Sequence, residues 1–120
     1  MKKILLIDDE QDMIDVLKYS LKDSQYEVIT ATDGVEGFAK VSDEKPDLIV
    51  LDMMMPTLDG YALIKEIRRR ENLKSIPIVV LTGKDQLEEI VREEGVKDFF
   101  TKPFELQDVV GRIKDLVEVN

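Results

Sequence analysis

Carboxylates follow two apolar runs of the sequence, and their positions suggest metal chemistry. Asp8 and Asp9 come directly after the apolar residues 4–7, and Asp52 comes directly after residues 48–51. If both runs are buried parallel strands, these side chains meet at one edge of the sheet, where open α/β folds have their active sites. Two bare carboxylates about 5 Å apart repel by roughly 3 kcal/mol at an effective dielectric constant of about 20, so the cluster requires a cation or a proton. Oxygen ligands alone favour a hard ion such as Mg²⁺.

Two further polar side chains are predicted at the same edge. Thr82 follows the apolar residues 78–81, and Lys102 follows a weaker predicted strand at residues 98–101. A hydroxyl and an ammonium group beside a metal ion are what the oxygens of a transferring phosphoryl group require. Asp52 is the natural nucleophile, because a strand-terminal carboxylate beside Mg²⁺ can attack phosphorus and form an acyl phosphate.

Each of these residues also has an ordinary structural interpretation. Asp8 and Asp9 could cap the helix that follows them, where the helix dipole favours negative charge, although one aspartate would suffice for that task. A threonine at a strand end is usually structural, and a lone lysine is usually a solvated charge. The convergence of five such residues from four strand ends favours a functional site. Like-charge repulsion should then raise the pKa of at least one of the aspartates in the metal-free protein.

The composition limits the classes of function. A chain of 120 residues has room for one domain. The net charge of −9 argues against nucleic-acid binding, which needs clustered Lys and Arg, so the expected partners are proteins. The sequence has no Cys and no His, which excludes thiolate metal sites, a Ser-His-Asp triad and a phosphohistidine carrier role. No apolar run is long enough to span a membrane and no leader is recognisable, so a cytoplasmic location is expected.

Strand-like and helix-like segments alternate along the chain. Three strands are wholly apolar, which is typical of strands buried on both faces, and two are weaker. Helical periodicity follows each of them. This βα pattern, repeated five times, predicts a parallel sheet with right-handed crossovers and helices on both faces. The predicted strands are residues 4–7, 27–31, 48–51, 78–81 and 98–101.

Four motifs, in order along nearly the whole chain, resemble those of the receiver domains of bacterial two-component response regulators. The resemblance implies a single receiver domain over residues 1–120 with a flavodoxin-like (βα)5 fold and strand order 2-1-3-4-5. It also implies phosphorylation of an aspartate by a sensor histidine kinase or a histidine phosphotransfer protein. The motifs are Asp8-Asp9-Glu10, Leu51-Asp52-Met53-Met54-Met55-Pro56 with Asp59-Gly60, Leu81-Thr82-Gly83, and Thr101-Lys102-Pro103-Phe104.

The resemblance implies a role for each residue of the site. Asp8, Asp9 and Asp52 match the family's Mg²⁺ carboxylates, and Met54 matches the residue whose backbone carbonyl also binds the metal. Asp52 matches the phosphoacceptor.

The switch residues are implied in the same way. Thr82 matches the switch hydroxyl, and Lys102 matches the lysine that contacts the phosphoryl group, with a cis peptide bond between Lys102 and Pro103. Phe99 matches the switch aromatic, although an ordinary core or interface phenylalanine is the alternative. Phe100 should face the opposite side of the sheet, because strand side chains alternate.

The sequence departs from the family in the spacing of two site residues, and two positions beside the site bear on hydrolysis. Thr82 and Lys102 are 102 − 82 = 20 residues apart, slightly closer than in most receiver domains, so the fourth helix is expected to be short or displaced. Met54 and Lys84 flank the expected path of an attacking water, which predicts slow hydrolysis of the phosphorylated form.

Other functions sharing this architecture fit less well. A haloacid-dehalogenase-type phosphatase needs an acid two residues after the nucleophile, where this chain has Met54. A flavodoxin-like FMN carrier needs phosphate donors where residues 8–10 are acidic. A receiver-like scaffold without phosphorylation predicts loss of site residues, and none is missing. The expected function is therefore a phosphorylated switch, not an enzyme, without an effector domain and signalling through a separate target protein.

Overall fold

Five strands and five helices alternate in the part of the chain that the structure describes. That structure is a computed structural model, and it describes residues 1–22, 25–53, 60–83 and 87–118, apart from the side chains of residues 87, 88 and 90. The strands are β1 (Lys3–Ile7), β2 (Glu27–Ala31), β3 (Leu48–Asp52), β4 (Ile78–Thr82) and β5 (Asp98–Thr101). The helices are α1 (Gln11–Leu21), α2 (Gly34–Glu44), α3 (Gly60–Arg69), α4 (Leu87–Arg92) and α5 (Leu106–Glu118).

The strands form one parallel sheet in the order β2-β1-β3-β4-β5. The predicted flavodoxin-like (βα)5 fold is therefore confirmed. Every residue of β3 and β4 is buried, as the apolar runs 48–51 and 78–81 predict, and the burial extends to the polar end residues Asp52 and Thr82. β3 is the central strand, so its carboxyl end lies in the middle of the sheet edge.

Alternating strand side chains divide the core into two layers. Leu5, Ile49 and Val80 pack on one face with residues of α2, α3 and α4. On the other face, Ile4 and Val50 pack with residues of α1 and α5. Each fully buried Leu or Ile side chain contributes about 1.5–3 kcal/mol relative to exposure, so the helices are held to the sheet mainly by these two layers.

Strand pairing places the candidate site residues at the same edge of the sheet. Ile7 pairs with Leu51, which places Asp8 beside Asp52 at the carboxyl edge. Thr82 pairs with Thr101, which places Lys102 just beyond the same edge. The sequence predicted that the strands end before Asp52 and Thr82, but both belong to strands because their backbone pairing continues the ladder.

The residues at the helix ends suit the backbone conformations that they adopt. Asp33 is the N-cap of α2 and accepts a hydrogen bond from the backbone N–H of Glu36 at 2.8 Å. Gly95 adopts a left-handed conformation with φ of 87°, as expected of a glycine after a helix. α4 spans Leu87–Arg92, and residues 84–86 directly before it lie outside the described residues, so the expected shortening of this helix stays a prediction. Among the helices of the described ranges, none has both the length and the apolar character that crossing a bilayer requires.

Two helices end at lysines that differ in backbone conformation. This difference leads to a prediction about stability. Lys45, the C-cap of α2, is left-handed (φ 45°, ψ 64°), whereas Lys22, the C-cap of α1, is right-handed (φ −62°, ψ −31°). Glycine is permitted in the left-handed region and costs conformational entropy elsewhere. Lys45→Gly should therefore raise the free energy of unfolding by about 0.5–1 kcal/mol, and Lys22→Gly should lower it. Urea unfolding of both variants checks this, and destabilisation by Lys45→Gly would contradict it.

Candidate functional site

Four carboxylates converge at the carboxyl edge of β1 and β3. Each of Asp8, Asp9, Glu10 and Asp52 offers a carboxylate oxygen, and these four atoms all lie within 4.8 Å of one another. Asp8 and Asp52 are buried, with 3% and 1% of their surface exposed, whereas Asp9 and Glu10 are exposed. The three predicted aspartates are thus brought together. Glu10 was not predicted as part of the cluster, although its place in an unbroken acidic triplet was the available signal.

Asp8 does not cap the helix. The N-cap of α1 is Glu10, whose own side chain makes no capping hydrogen bond. One carboxylate oxygen of Asp8, Oδ1, accepts a hydrogen bond from the backbone N–H of Glu10 at 2.9 Å. The other, Oδ2, is buried and has no hydrogen-bond partner among the described residues. An unpaired buried carboxylate oxygen is costly, and a cation or a proton at this position would remove that cost.

The pKa of Asp8 reflects this unfavourable environment. Burial, the largest cause, raises the pKa from an ordinary value of 3.8 to about 7; the charge of Asp52, and the hydrogen bond that a protonated Asp8 can donate to Asp52, act in the same direction. The hydrogen bond from Glu10 and the positive charge of Lys102 oppose the shift. The sequence predicted a raised pKa from like-charge repulsion. Repulsion contributes, but loss of hydration is the larger cause.

Lys102 provides the positive charge that faces the cluster. Its Nζ donates a hydrogen bond to Oδ2 of Asp52 at 2.9 Å and lies 3.9 Å from Oε1 of Glu10. Burial alone would lower the pKa of Lys102, but the hydrogen bond to Asp52 and the surrounding carboxylates outweigh burial and raise it. The lysine therefore stays charged beside Asp52. The peptide bond from Lys102 to Pro103 is cis, as predicted.

Thr82 is the buried last residue of β4. The backbone carbonyl of Thr82 accepts a hydrogen bond from the N–H of Lys102 at 2.7 Å, which ties the end of β4 to the loop after β5. Since Asp52 pairs with Leu81, the neighbour of Thr82, the hydroxyl residue lies one position beyond Asp52 on the adjacent strand.

Phe99 and Phe100 lie on opposite faces of the sheet, as the alternation of strand side chains predicts. Phe99 is half-buried and packs against the core layer that includes Val91 of α4. The guanidinium group of Arg92 lies over the Phe99 ring, 4.9 Å from its centroid. Phe100 packs on the other layer, with its ring centroid 6.3 Å from that of Phe104. Phe99 thus contacts α4 directly.

Two residues to which the sequence analysis assigns an individual role lie outside the described residues. These are Met54, the predicted carbonyl ligand, and Lys84, the residue expected to influence hydrolysis.

The arrangement combines parts that suit phosphoryl transfer to a carboxylate. Oxygen ligands for a hard cation surround a buried carboxylate, and an ammonium group is already hydrogen-bonded to that carboxylate. Comparison with known proteins supports this chemistry, because the family model of the response regulator receiver domain matches residues 4–114. The chain belongs to this family. Receiver domains are phosphorylation-activated switches of two-component systems, and this receiver domain is one of them.

Individual relatives agree with the family assignment. The receiver domain is 45% identical over 118 residues to the alkaline phosphatase synthesis transcriptional regulatory protein PhoP of Bacillus subtilis, covering 97% of this chain and 48% of PhoP. The chain spans about half the length of the curated relatives it matches. It also resembles the chemotaxis response regulator CheY4 of Vibrio cholerae, with 30% identity, a TM-score of 0.85, and coverage of 97% of this chain and 98% of CheY4.

A third relative bears on the metal. The receiver domain of a sensor histidine kinase from Pseudomonas aeruginosa PAO1 has a magnesium ion coordinated in its active-site cleft. It is 28% identical to this chain with a TM-score of 0.85, and the match covers 98% of each chain. Receiver domains bind Mg²⁺ at an acidic pocket, and Asp8, Asp9, Glu10 and Asp52 form an acidic cluster in this chain.

The raised pKa of Asp8 predicts how stability depends on pH. The folded-state pKa of about 7 exceeds the ordinary value of 3.8, so the stabilising contribution is present at low pH and is lost as pH rises through about 7. Asp8→Asn, which keeps an oxygen for the Glu10 N–H, should raise the free energy of unfolding by ~1–3 kcal/mol at pH 8 in the presence of a chelator. This increase in the free energy of unfolding should be smaller near pH 5.

Urea unfolding at the two pH values measures this difference. The matched control is Asp9→Asn, because Asp9 is exposed and its replacement relieves little desolvation. Equal destabilisation by Asp8→Asn at both pH values would refute the assignment of Asp8 as an uncompensated buried carboxyl group.

Proposed function

We propose that this receiver domain accepts a phosphoryl group on Asp52 from a phosphohistidine, in a reaction that requires Mg²⁺. The donor is a cytoplasmic sensor histidine kinase or a histidine phosphotransfer protein. The observation that carries the proposal is the contact between Lys102 and buried Asp52, at 2.9 Å, inside a cluster of four carboxylates. Position favours Asp52 over Asp8 as the nucleophile, because Asp52 ends the central strand and is held by the lysine.

The metal-ligand assignment follows from the same cluster. Asp8, Asp9 and Asp52 would hold Mg²⁺, together with the backbone carbonyl of Met54, as the family resemblance implies. The buried, unpaired Oδ2 of Asp8 supports this assignment, because an oxygen without a hydrogen-bond donor is suited to a cation. When bound, Mg²⁺ neutralises charge on the phosphoryl oxygens.

The protein residues supply position and charge for the transfer. A carboxylate oxygen of Asp52 attacks phosphorus while the phosphorus–nitrogen bond of the phosphohistidine breaks, and the electron pair of that bond leaves with the imidazole nitrogen. The product is an acyl phosphate on Asp52. Lys102 then pairs with a phosphoryl oxygen in place of its contact with the carboxylate, which balances the added negative charge.

The switch would operate through the loops after β4 and β5. The Thr82 hydroxyl would donate a hydrogen bond to a phosphoryl oxygen, and the space that it leaves would be taken by Phe99. Phe99 lacks the hydroxyl of a tyrosine, so burial and the stacked guanidinium of Arg92 would set its orientation. Phosphorylation would thereby alter the surface formed by α4 and β5.

Output would pass through contacts with another protein or protein segment. The 120 residues form one receiver domain in this proposal, and the net charge of −9 supports protein contacts over direct contacts with nucleic acid. The intact acidic cluster supports a phosphorylated switch over a scaffold that acts without phosphorylation. Four carboxylates at the carboxyl ends of β1 and β3 also oppose the binding of a phosphate-bearing flavin at this edge.

Phosphorylation itself is the first test of the assigned acceptor. Incubation with acetyl phosphate and Mg²⁺ should add the mass of one phosphoryl group to the parent protein and none to Asp52→Asn, because the amide is not a nucleophile. Asp43→Asn, at an exposed position on α2, is the matched control and should be modified like the parent. Intact-mass spectrometry measures the yield. A parent-like yield on Asp52→Asn would sink the proposal.

Lys102 is expected to couple phosphorylation to the switch more than it supports the transfer itself. Lys102→Ala should retain part of the phosphorylation yield but lose most of the phosphorylation-dependent NMR shift at Phe99, because no ammonium group then joins the phosphoryl group to the loop after β5. Lys114→Ala, on α5, is the control. If Lys102→Ala showed the full Phe99 shift at matched phosphorylation, Lys102 would have no switch role.

A further inference from the structure

A cavity of about 470 Å³ opens at the edge of the sheet opposite the acidic cluster. Ile78 and Asp98, the first residues of β4 and β5, line this cavity. Its charged lining consists of one acid and four cations, in a chain whose net charge is −9. The four cations are Arg68, Lys74, Lys97 and Arg112.

Two of the four cations already have carboxylate partners. Nζ of Lys74 lies 3.0 Å from Oε1 of Glu71, and Nε of Arg112 lies 2.6 Å from Oδ1 of Asp98. The other two cations, Arg68 and Lys97, form no ion pair with any carboxylate in the described ranges. The cavity therefore presents two positive charges without a paired negative charge.

Arg68 is held in place by backbone carbonyls. Its Nε donates to the carbonyl of Glu94 at 3.1 Å, and its Nη1 donates to the carbonyls of Lys74 and Ile76 at 2.9 and 2.8 Å. The described residues provide no acceptor for Nη2, so two N–H groups of a fixed guanidinium group remain available. Burial lowers the pKa of Arg68 from its ordinary value, with the charge of Glu94 acting in the opposite direction. Desolvation of this cation is thus only partly compensated.

We propose that the Arg68 cavity, defined by Arg68, Lys97 and the residues around them, binds the phosphate group of a small phosphate-bearing molecule. Two unpaired cations match the two negative charges of a phosphate dianion, and a fixed guanidinium group matches its oxygens in geometry. Pro77, Ile78 and Leu116 give the cavity an apolar wall against which an organic group can lie. A volume of about 470 Å³ is in the range of small-molecule sites.

The Arg68 cavity is independent of phosphorylation at Asp52. It lies at the amino ends of β4 and β5, whereas Asp52, Thr82 and Lys102 lie at the carboxyl edge, and it needs no metal ion. Ligand binding can therefore be measured in metal-free protein, where phosphoryl transfer does not occur.

The test is an NMR titration of ¹⁵N-labelled protein in the presence of a chelator. Inorganic phosphate and adenosine monophosphate are the dianionic probes, and methanesulfonate is the monoanionic control. The backbone amides of Gly95, Lys97 and Asp98 should shift and saturate with the dianions and respond more weakly to methanesulfonate. Tighter binding of adenosine monophosphate assigns the site to phosphate esters, and tighter binding of phosphate assigns it to the inorganic ion. Either order of affinity for the two probes supports a site for phosphate dianions.

Variants separate a specific site from general attraction to lysines. Lys97→Gln should weaken binding about tenfold, the effect of losing one charged hydrogen bond, without changing the unfolding midpoint. Lys18→Gln, at an exposed position on α1, should bind like the parent. Arg68→Lys keeps the positive charge but loses the planar, forked set of N–H donors of the guanidinium group, so it should also weaken binding. Equal weakening by Lys97→Gln and Lys18→Gln, or shifts confined to the amides around Asp8 and Asp52, would overturn the proposal.

Discussion

The buried carboxylate of Asp8 beside the buried carboxylate of Asp52 is the constraint on which the site depends. Lys102 is hydrogen-bonded to Asp52, but Oδ2 of Asp8 has no hydrogen-bond donor in the described part of the chain. Among the described residues, one cation thus faces two desolvated acids, and burial together with this deficit of positive charge raises the pKa of Asp8 to about 7. A divalent cation bound at a site with this deficit would stabilise the folded state, so metal binding and folding would be linked.

The fold creates this constraint through strand register. Pairing of Ile7 with Leu51 puts the two acids side by side, and pairing of Thr82 with Thr101 brings Lys102 to them from the other half of the sheet. The backbone bond from Lys102 to Thr82 then makes the end of β4 and the loop after β5 a single unit. A charge added at Asp52 is thereby connected to β5, and through Phe99 and Arg92 to α4. Each connection is a contact between neighbouring strands or a strand and the helix packed on it.

Much of this could be predicted from the sequence because the strands are buried on both faces. Uninterrupted apolar runs locate β3 and β4, and their parallel pairing requires that Asp52 and Thr82 share an edge with Asp8 and Lys102. The exposed residue Glu10 was missed, since exposure gives no periodic signal. The main cause of the raised pKa of Asp8 was also missed, because the extent of desolvation depends on packing around the side chain. The cations of the Arg68 cavity lie on α3, the α3–β4 connection, the α4–β5 connection and α5, and no local motif reveals that they come together.

Proton release on Mg²⁺ binding tests the central claim most directly. If Asp8 is the uncompensated acid, Mg²⁺ should displace its proton, and about half a proton should be released per ion bound at pH 7, where the group is half-ionised. Release should rise toward one proton near pH 6 and vanish at pH 8.5. Calorimetric titration in buffers of different ionisation enthalpy measures the number of protons released per Mg²⁺ ion bound. Asp8→Asn should abolish this proton release. Mg²⁺ binding by the parent without proton release at pH 6 would contradict the account.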